Sequence, residues 1–420
     1  MQYLTKIFLL GAVVLLLATG ARSWDTAKNR QVQMAALALP TGTRADWQQW
    51  DSFLTFAIKR LGQELRPDQR DQVGETFLDA RYQLTQALAS GASDPVPQLF
   101  LTTWERLSPV LKQSAPGLAP QSSGQFTSFI AAMDGIKSLA NIGSQFGLFR
   151  ITPDALRGAA KFLGTANVDP LAYSIEIDNA LRNFLGFTNP LPDPRPSTLL
   201  EQGRLQRLRE KARAAMGSLA VSSAHAADAE FDRLNEWVPE NREIPDYLLE
   251  VRQLLIATSD KVLAKSTLAP EHRQLYRQIV FATGLQESCW RQFIKKGEKL
   301  TPLASSTGDV GLMQVNRITW RSVYDLKGLN GDMSYNGNAG AEILHYYLTR
   351  YAIRKKEDKQ PGGNLARATY SAYNAGPGGV ARYRGVRQSP IWKKVDDAFW
   401  EKFKAVSAGQ ELSVKSCFGS

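Results

Sequence analysis

The chain has 420 residues but only two cysteines and three histidines. His225, His272 and His345 share no ligand spacing, and Cys289 and Cys417 stand far apart, so no metal site is expected. No glycine-rich phosphate loop and no nucleic-acid-binding motif is found, and nothing in the sequence asks for a cofactor. Alternation of apolar and polar residues is scarce too. Apart from a short turn-and-strand piece around Ser305 to Leu312 there is little β signal, and the expected class is all-α. Only one stretch resembles a membrane segment. It runs from Ile7 to Ala18 behind Lys6, about twelve residues where a span needs about 20. Ala21-Arg22-Ser23 then supplies small residues suited to a signal peptidase, so residues 1–23 read as a signal peptide. The expected location is exported and periplasmic, with an uncleaved inner-membrane anchor as the alternative. No cysteine follows the run to accept a lipid.

What is present is a globular composition, 43% apolar and 22% charged, long enough for two or three domains. The charge is lopsided. Residues 271–420 hold 23 Lys and Arg against 13 Asp and Glu, while the rest is nearly balanced. A basic C-terminal region suits an anionic polymer, whose local concentration long-range attraction raises. Nucleic acid is the rival polymer, and the export signal argues against it.

Along the chain, Trp47, Trp50, Phe53, Leu54 and Ile58 recur at three- and four-residue steps, and helix is expected over most of Asp46 to Lys112. Gly91, Pro95 and Pro97 mark a break. Ser114 to Gly124 reads as a loop, and Phe126 to Gly147 as a helix, buried rather than partner-facing. Thr152-Pro153-Asp154 and Asp169-Pro170 both look like helix starts, an N-cap followed by proline. The proline-rich run Asn189 to Pro196 opens a linker, with a charged helix from about Thr198 to Ala215. Ile244-Pro245 and Pro270-Glu271 start further amphipathic helices. The organisation expected is a signal peptide (1–23), a helical N-terminal domain of unassigned role (24–188), a linker with a charged helix (189–240) and a C-terminal catalytic domain (241–420).

Three short motifs stand in fixed order in the last third: Gln286-Glu287-Ser288 closing an apolar helix, Gly311-Leu312-Met313-Gln314, and Ala372-Tyr373-Asn374-Ala375-Gly376. Together, over roughly residues 270–385, they resemble the catalytic domain of the soluble lytic transglycosylase family. The resemblance implies a lysozyme-like fold acting without cofactor on the glycan strands of peptidoglycan. It implies cleavage of the β-1,4 bond between N-acetylmuramic acid and N-acetylglucosamine, with a 1,6-anhydro product and a single catalytic carboxylate, Glu287. At the C-terminal end of its helix Glu287 meets the unfavourable end of the dipole, and partial desolvation adds to this. Both keep a general acid protonated. On the same resemblance Ser288, Met313, Gln314, Tyr373 and Asn374 are the substrate-binding candidates: Ser288 orients the carboxyl or an acetamido group, Met313 forms an apolar wall, Gln314 holds an amide or hydroxyl, and Tyr373 offers a ring and a hydroxyl. Asn374 reads more as a cap with Gly376, and Asn336, Ala339 and Gly340 as structural.

Two departures qualify the match. A further C-terminal Glu-Thr/Tyr-Val motif of many members is not recognisable; Ile391-Trp392-Lys393-Lys394-Val395 stands near its place. Asp309, five residues before Gln314, also fits the second carboxylate of c-type lysozymes, so a hydrolytic muramidase is an alternative. A non-catalytic cell-wall binding or assembly protein, docking envelope machinery through the N-terminal region, is the other. In an oxidising compartment Cys289 and Cys417 are expected to pair.

Overall fold

In the computed structural model the described residues are 44–92, 94–144, 149–164, 168–187, 190, 191, 193, 231–385 and 388–413. The expected signal peptide, the charged helix expected in the linker, and Cys417 lie outside them, so the Cys289–Cys417 pairing does too. Among the described residues no helix is long and apolar enough to cross a membrane.

The first helix, α1 (Trp47–Gly62), begins where the Asp46 side chain accepts the Gln49 backbone N–H at 2.8 Å and Gln49 Oε1 accepts that of Asp46 at 3.1 Å. This reciprocal cap satisfies donors a helix start would otherwise leave open. Its expected stripe is buried at Trp50, Phe53, Leu54 and Ile58, each such side chain contributing about 1.5–3 kcal/mol. α2 (Pro67–Ala89) and α3 (Val96–Ser114) follow, broken at Gly91 as the glycine and prolines require.

The next loop is shorter than expected. A single 3₁₀ turn, Ala115–Gly117, leads into α4 (Pro120–Ser144), because Pro120 is tolerated at a helix start, where no N–H is needed. α4 buries Phe126, Phe129, Ile130 and Met133 and leaves Leu139 and Ile142 exposed. Thr152 caps α5 (Pro153–Lys161) as expected. Asp169-Pro170 starts no helix, which corrects the reading above. Asp169 instead turns its carboxylate onto the Leu171 N–H (3.2 Å) and Arg157 (3.2 Å), making a local turn. The helix there, α6 (Asn179–Leu185), is capped by Asp178.

Of the C-terminal elements, α7 (Ile244–Ala264) and α8 (Pro270–Ser288) start at the expected prolines. A hairpin that sequence reading missed follows, β1 (Phe293–Lys296) against β2 (Lys299–Pro302), turning at Gly297 with φ +60°. The expected turn-and-strand piece is β3 (Asp309–Val310), paired antiparallel with β4 (Val315–Asn316). Then come α9 (Leu326–Gly331), α10 (Met333–Tyr347) with a π-helical extension Leu348–Ile353, α11 (Leu365–Ala375) and α12 (Pro390–Ser407).

Ala45–Ser420 form one compact unit, and the N-terminal helices are locked to the C-terminal ones by buried charge. Asp51 on α1 accepts Arg81 of α2 (2.8 Å) and Arg321 of the segment after β4 (2.6 Å), all three side chains at most 3% exposed. Arg81 also donates to the carbonyls of Thr319 (3.2 Å) and Arg321 (2.7 Å). Arg182 of α6 reaches Glu342 of α10 (3.1 Å) and the Val323 carbonyl (2.8 Å).

Candidate active site

α8 carries Glu287 on its last turn. The helix buries Tyr276, Ile279, Val280, Ala282 and Leu285 and stops because Cys289 (φ 53°) and Trp290 (φ 59°) both turn left-handed. Such backbone is costly for residues with a Cβ and persists only where packing over-determines it. Here Trp290 is fully buried, its indole donating to the Phe281 carbonyl at 3.1 Å and its carbonyl accepting Tyr247 Oη at 2.8 Å. The Ser288 hydroxyl donates to the Leu312 carbonyl at 2.6 Å, so it fastens the helix end to the neighbouring loop.

That loop, Gly311–Gln314, is held by two buried amides. Gln292 Oε1 accepts the Leu312 N–H (2.7 Å), and Asn336 Oδ1 accepts that of Met313 (2.8 Å) while its amide donates to Val310 and Leu329. Gly311 sits at φ +75°, where a Cβ would stand 2.3 Å from Gln292 Oε1 and 2.4 Å from Asn336 Nδ2; no other residue fits. Asn336 therefore has the structural role expected of it. Gly340 does as well: a Cβ there would stand 2.4 Å from Met313 Cβ. Met313 is fully buried against Gly340 of α10 and does not line the cleft. Gln314 does face the cleft, in a left-handed turn (φ 47°), its amide donating to the carbonyls of Gly311 (2.8 Å) and Leu303 (3.3 Å).

α11 brings two tyrosines, three residues apart and so on one side of the helix. Tyr370 Oη donates to Glu287 Oε1 at 2.9 Å, and its ring stacks on Phe399 of α12 with centroids 4.1 Å apart. Tyr373 Oη donates to the Met313 carbonyl at 2.7 Å. Tyr370 is the hydroxyl bonded to the carboxyl, a residue sequence reading missed although it lies one turn before the motif tyrosine. Asn374 Oδ1 accepts Arg382 Nη1 (2.9 Å), and Arg382 grips Asp396 with two nitrogens (3.1 and 2.6 Å) beneath the Trp392 ring.

Glu287, Asp309, Gln314, Tyr373, Asn374 and Trp392 line one cleft of about 460 Å³. Trp392, from the stretch where the family motif is unrecognisable, is a second residue missed, and it brings an aromatic ring into the cleft. A third contribution comes from α2, whose Tyr82, Thr85, Gln86 and Ala89 also line the cleft and which no local pattern announced. Asp309 Oδ2 accepts Ser305 Oγ (2.6 Å) and Thr307 Oγ1, and its Oδ1 accepts Asn316 Nδ2 (2.8 Å). It is a cleft residue whose oxygens are both engaged in the β3–β4 turn.

Burial pushes the Glu287 carboxyl up to about 7, and the negative charge of Asp309 adds to the rise. The Tyr370 hydrogen bond and the charges of Arg382 and Lys402 oppose it. Lys402 stands close by, donating to Gln286 Oε1 at 2.9 Å, its own pKa lowered by burial. A carboxyl poised near neutrality can both give and take back a proton. Among the described residues no cluster of His, Cys, Asp and Glu could hold a metal ion.

No curated protein and no solved structure matches the chain. Residues 269–394, from the start of α8 to the first turn of α12, match the family model of the transglycosylase SLT domain. The segment that holds Glu287, the Gly311–Gln314 loop and the Tyr373-Asn374 pair is therefore a lysozyme-like, mostly helical domain of that family.

Proposed function

We propose that the chain is an exported, periplasmic lytic transglycosylase that cuts peptidoglycan glycan strands between N-acetylmuramic acid and N-acetylglucosamine. The observation that carries this reading is the Glu287 carboxyl, raised to about 7, on a helix of the matched domain that faces the cleft. In the first half-reaction the glycosidic C1–O bond breaks as its oxygen takes the Glu287 proton. The substrate's own acetamido group supports the developing positive charge at C1. In the second, the muramic acid O6 bonds to C1 and returns its proton to Glu287. Atoms balance without water, and the new end is a 1,6-anhydro sugar.

A hydrolytic outcome would need Asp309 as a second carboxylate acting on the sugar or on a water. Its two oxygens are already engaged by Ser305, Thr307 and Asn316, which supports the one-carboxylate reading. The test is digestion of purified glycan strands with mass measurement of the products. Anhydro ends, lighter than hydrolytic ends by one water, are expected. Glu287→Gln should lose at least the 10²–10⁴-fold typical of general acid catalysis while keeping its fold. Hydrolytic ends, or near-parental turnover by a folded Glu287→Gln chain, overturn the proposal.

A further inference from the structure

The cleft is not built by the matched domain alone. Tyr82, Thr85, Gln86, Ala89 and Ser90, all on or just after α2, line one side of it. These residues lie some 180 positions before the domain match begins. An isolated domain of residues 269–394 would leave this side open.

The wall is fixed in place by contacts at several of its turns. Tyr82 Oη donates to the Tyr373 carbonyl at 2.7 Å, and Thr85 Oγ1 donates to the Arg81 carbonyl and meets Thr319 Oγ1, both at 3.1 Å. Asp79 Oδ1 accepts the Gly378 N–H at 2.8 Å, so α2 lies across the chain just after the Tyr373-Asn374 motif. Ser90 spends its hydroxyl on the Ala87 carbonyl at 2.9 Å. Gln86 differs. It is exposed, and among the described residues its amide makes no hydrogen bond. A long donor–acceptor side chain on a rigid wall matches what an acetamido or hydroxyl group of a sugar requires.

We infer that α2 is a wall of the glycan-binding cleft and that Gln86 is a specificity-determining residue, hydrogen-bonding an N-acetylated sugar beyond the pair being cut. This rests on the reading of the cleft as a glycan site. It makes the N-terminal helices part of substrate recognition.

The test is calorimetric binding of N-acetylglucosamine oligomers, a dimer and a hexamer, to the whole chain carrying Glu287→Gln, so that nothing is cut. Gln86→Ala is expected to weaken the hexamer about 2- to 10-fold, the equivalent of one hydrogen bond. On this inference a dimer seated at residue 287 does not reach Gln86, and its binding should be unchanged. Ala89→Trp, adding bulk at an exposed position of the same wall, should weaken the hexamer at least as much. Both variants should melt where the parent does. Unchanged hexamer affinity in both variants overturns the inference while leaving the glycan reading intact, as does an equal loss for dimer and hexamer. Failure of the parent to bind either oligomer overturns the glycan reading and the inference with it.

Discussion

At the scale of single residues the proposed chemistry turns on Glu287 and the group bonded to it. The acid must be protonated to cut, so activity should fall as pH rises through about 7. Tyr370→Phe removes a hydrogen bond that favours the ionised form, so the falling limb should move to higher pH. The carboxyl also loses its orienting partner, and kcat should drop on the order of tenfold. A pH–rate profile of the variant checks both signs; a limb moving to lower pH would refute the role given to Tyr370. Stability follows the same carboxyl. Its folded pKa lies above the ordinary value of 4.5, so the folded chain binds the extra proton between about 4.5 and 7. The stability this confers is present at low pH and lost as pH rises through that window. Glu287→Gln should therefore be more stable than the parent at pH 8, by on the order of 1–2 kcal/mol after discounting for the carboxyl's opening to the cleft, and show no such gain at pH 4. Urea titrations at the two pH values measure it. Glu287 was singled out in the sequence because its motif stands in order with two others, and the structure adds its place in the cleft beside Tyr370. Tyr370 was written there too, one turn before Tyr373, but its pairing depends on how α11 faces α8, which no motif encodes.

At the scale of elements, the β3–β4 turn decides what Asp309 is for. Both its oxygens accept hydrogen bonds from Ser305, Thr307 and Asn316, the work of a turn residue. Asp309→Asn should keep most of the turnover and the anhydro ends, and lose about 1–3 kcal/mol from donors left without a partner. Because the Asp309 charge raises the Glu287 pKa, the alkaline limb should also move to lower pH. A loss of turnover comparable with Glu287→Gln would give Asp309 a catalytic role. Helix starts at Pro153, Pro245 and Pro270 were legible because capping and proline tolerance are local. Asp169-Pro170 misled for the same reason: the local signature was right, but Asp169 found Leu171 and Arg157, and the helix began at Asn179 instead. The β1–β2 hairpin escaped notice because its strands alternate poorly and only Gly297 betrays the turn.

At the scale of the molecule, Asp51 offsets two buried guanidiniums, Arg81 and Arg321, that sit on opposite sides of the junction between the N-terminal and C-terminal helices. Asp51→Ala strands both, and the expected cost is about 3–5 kcal/mol. If the junction is as continuous as its hydrogen bonds indicate, denaturant should unfold the variant in one transition, earlier than the parent; a loss below 1 kcal/mol would deny the cluster its structural weight. None of this was legible in sequence, since nothing local at Asp51 points 270 residues ahead. The roughly 180 residues between α2 and the matched domain have a further consequence. The cleft takes one wall from residues 82–90 and another from Trp392, so it closes only when both the early and the late parts of the chain have been made. A chain still emerging, with α12 unmade, has its acid but only part of its binding surface. If the chain is the lytic enzyme proposed above, its hold on a glycan strand is complete only after α12 has been made and folded.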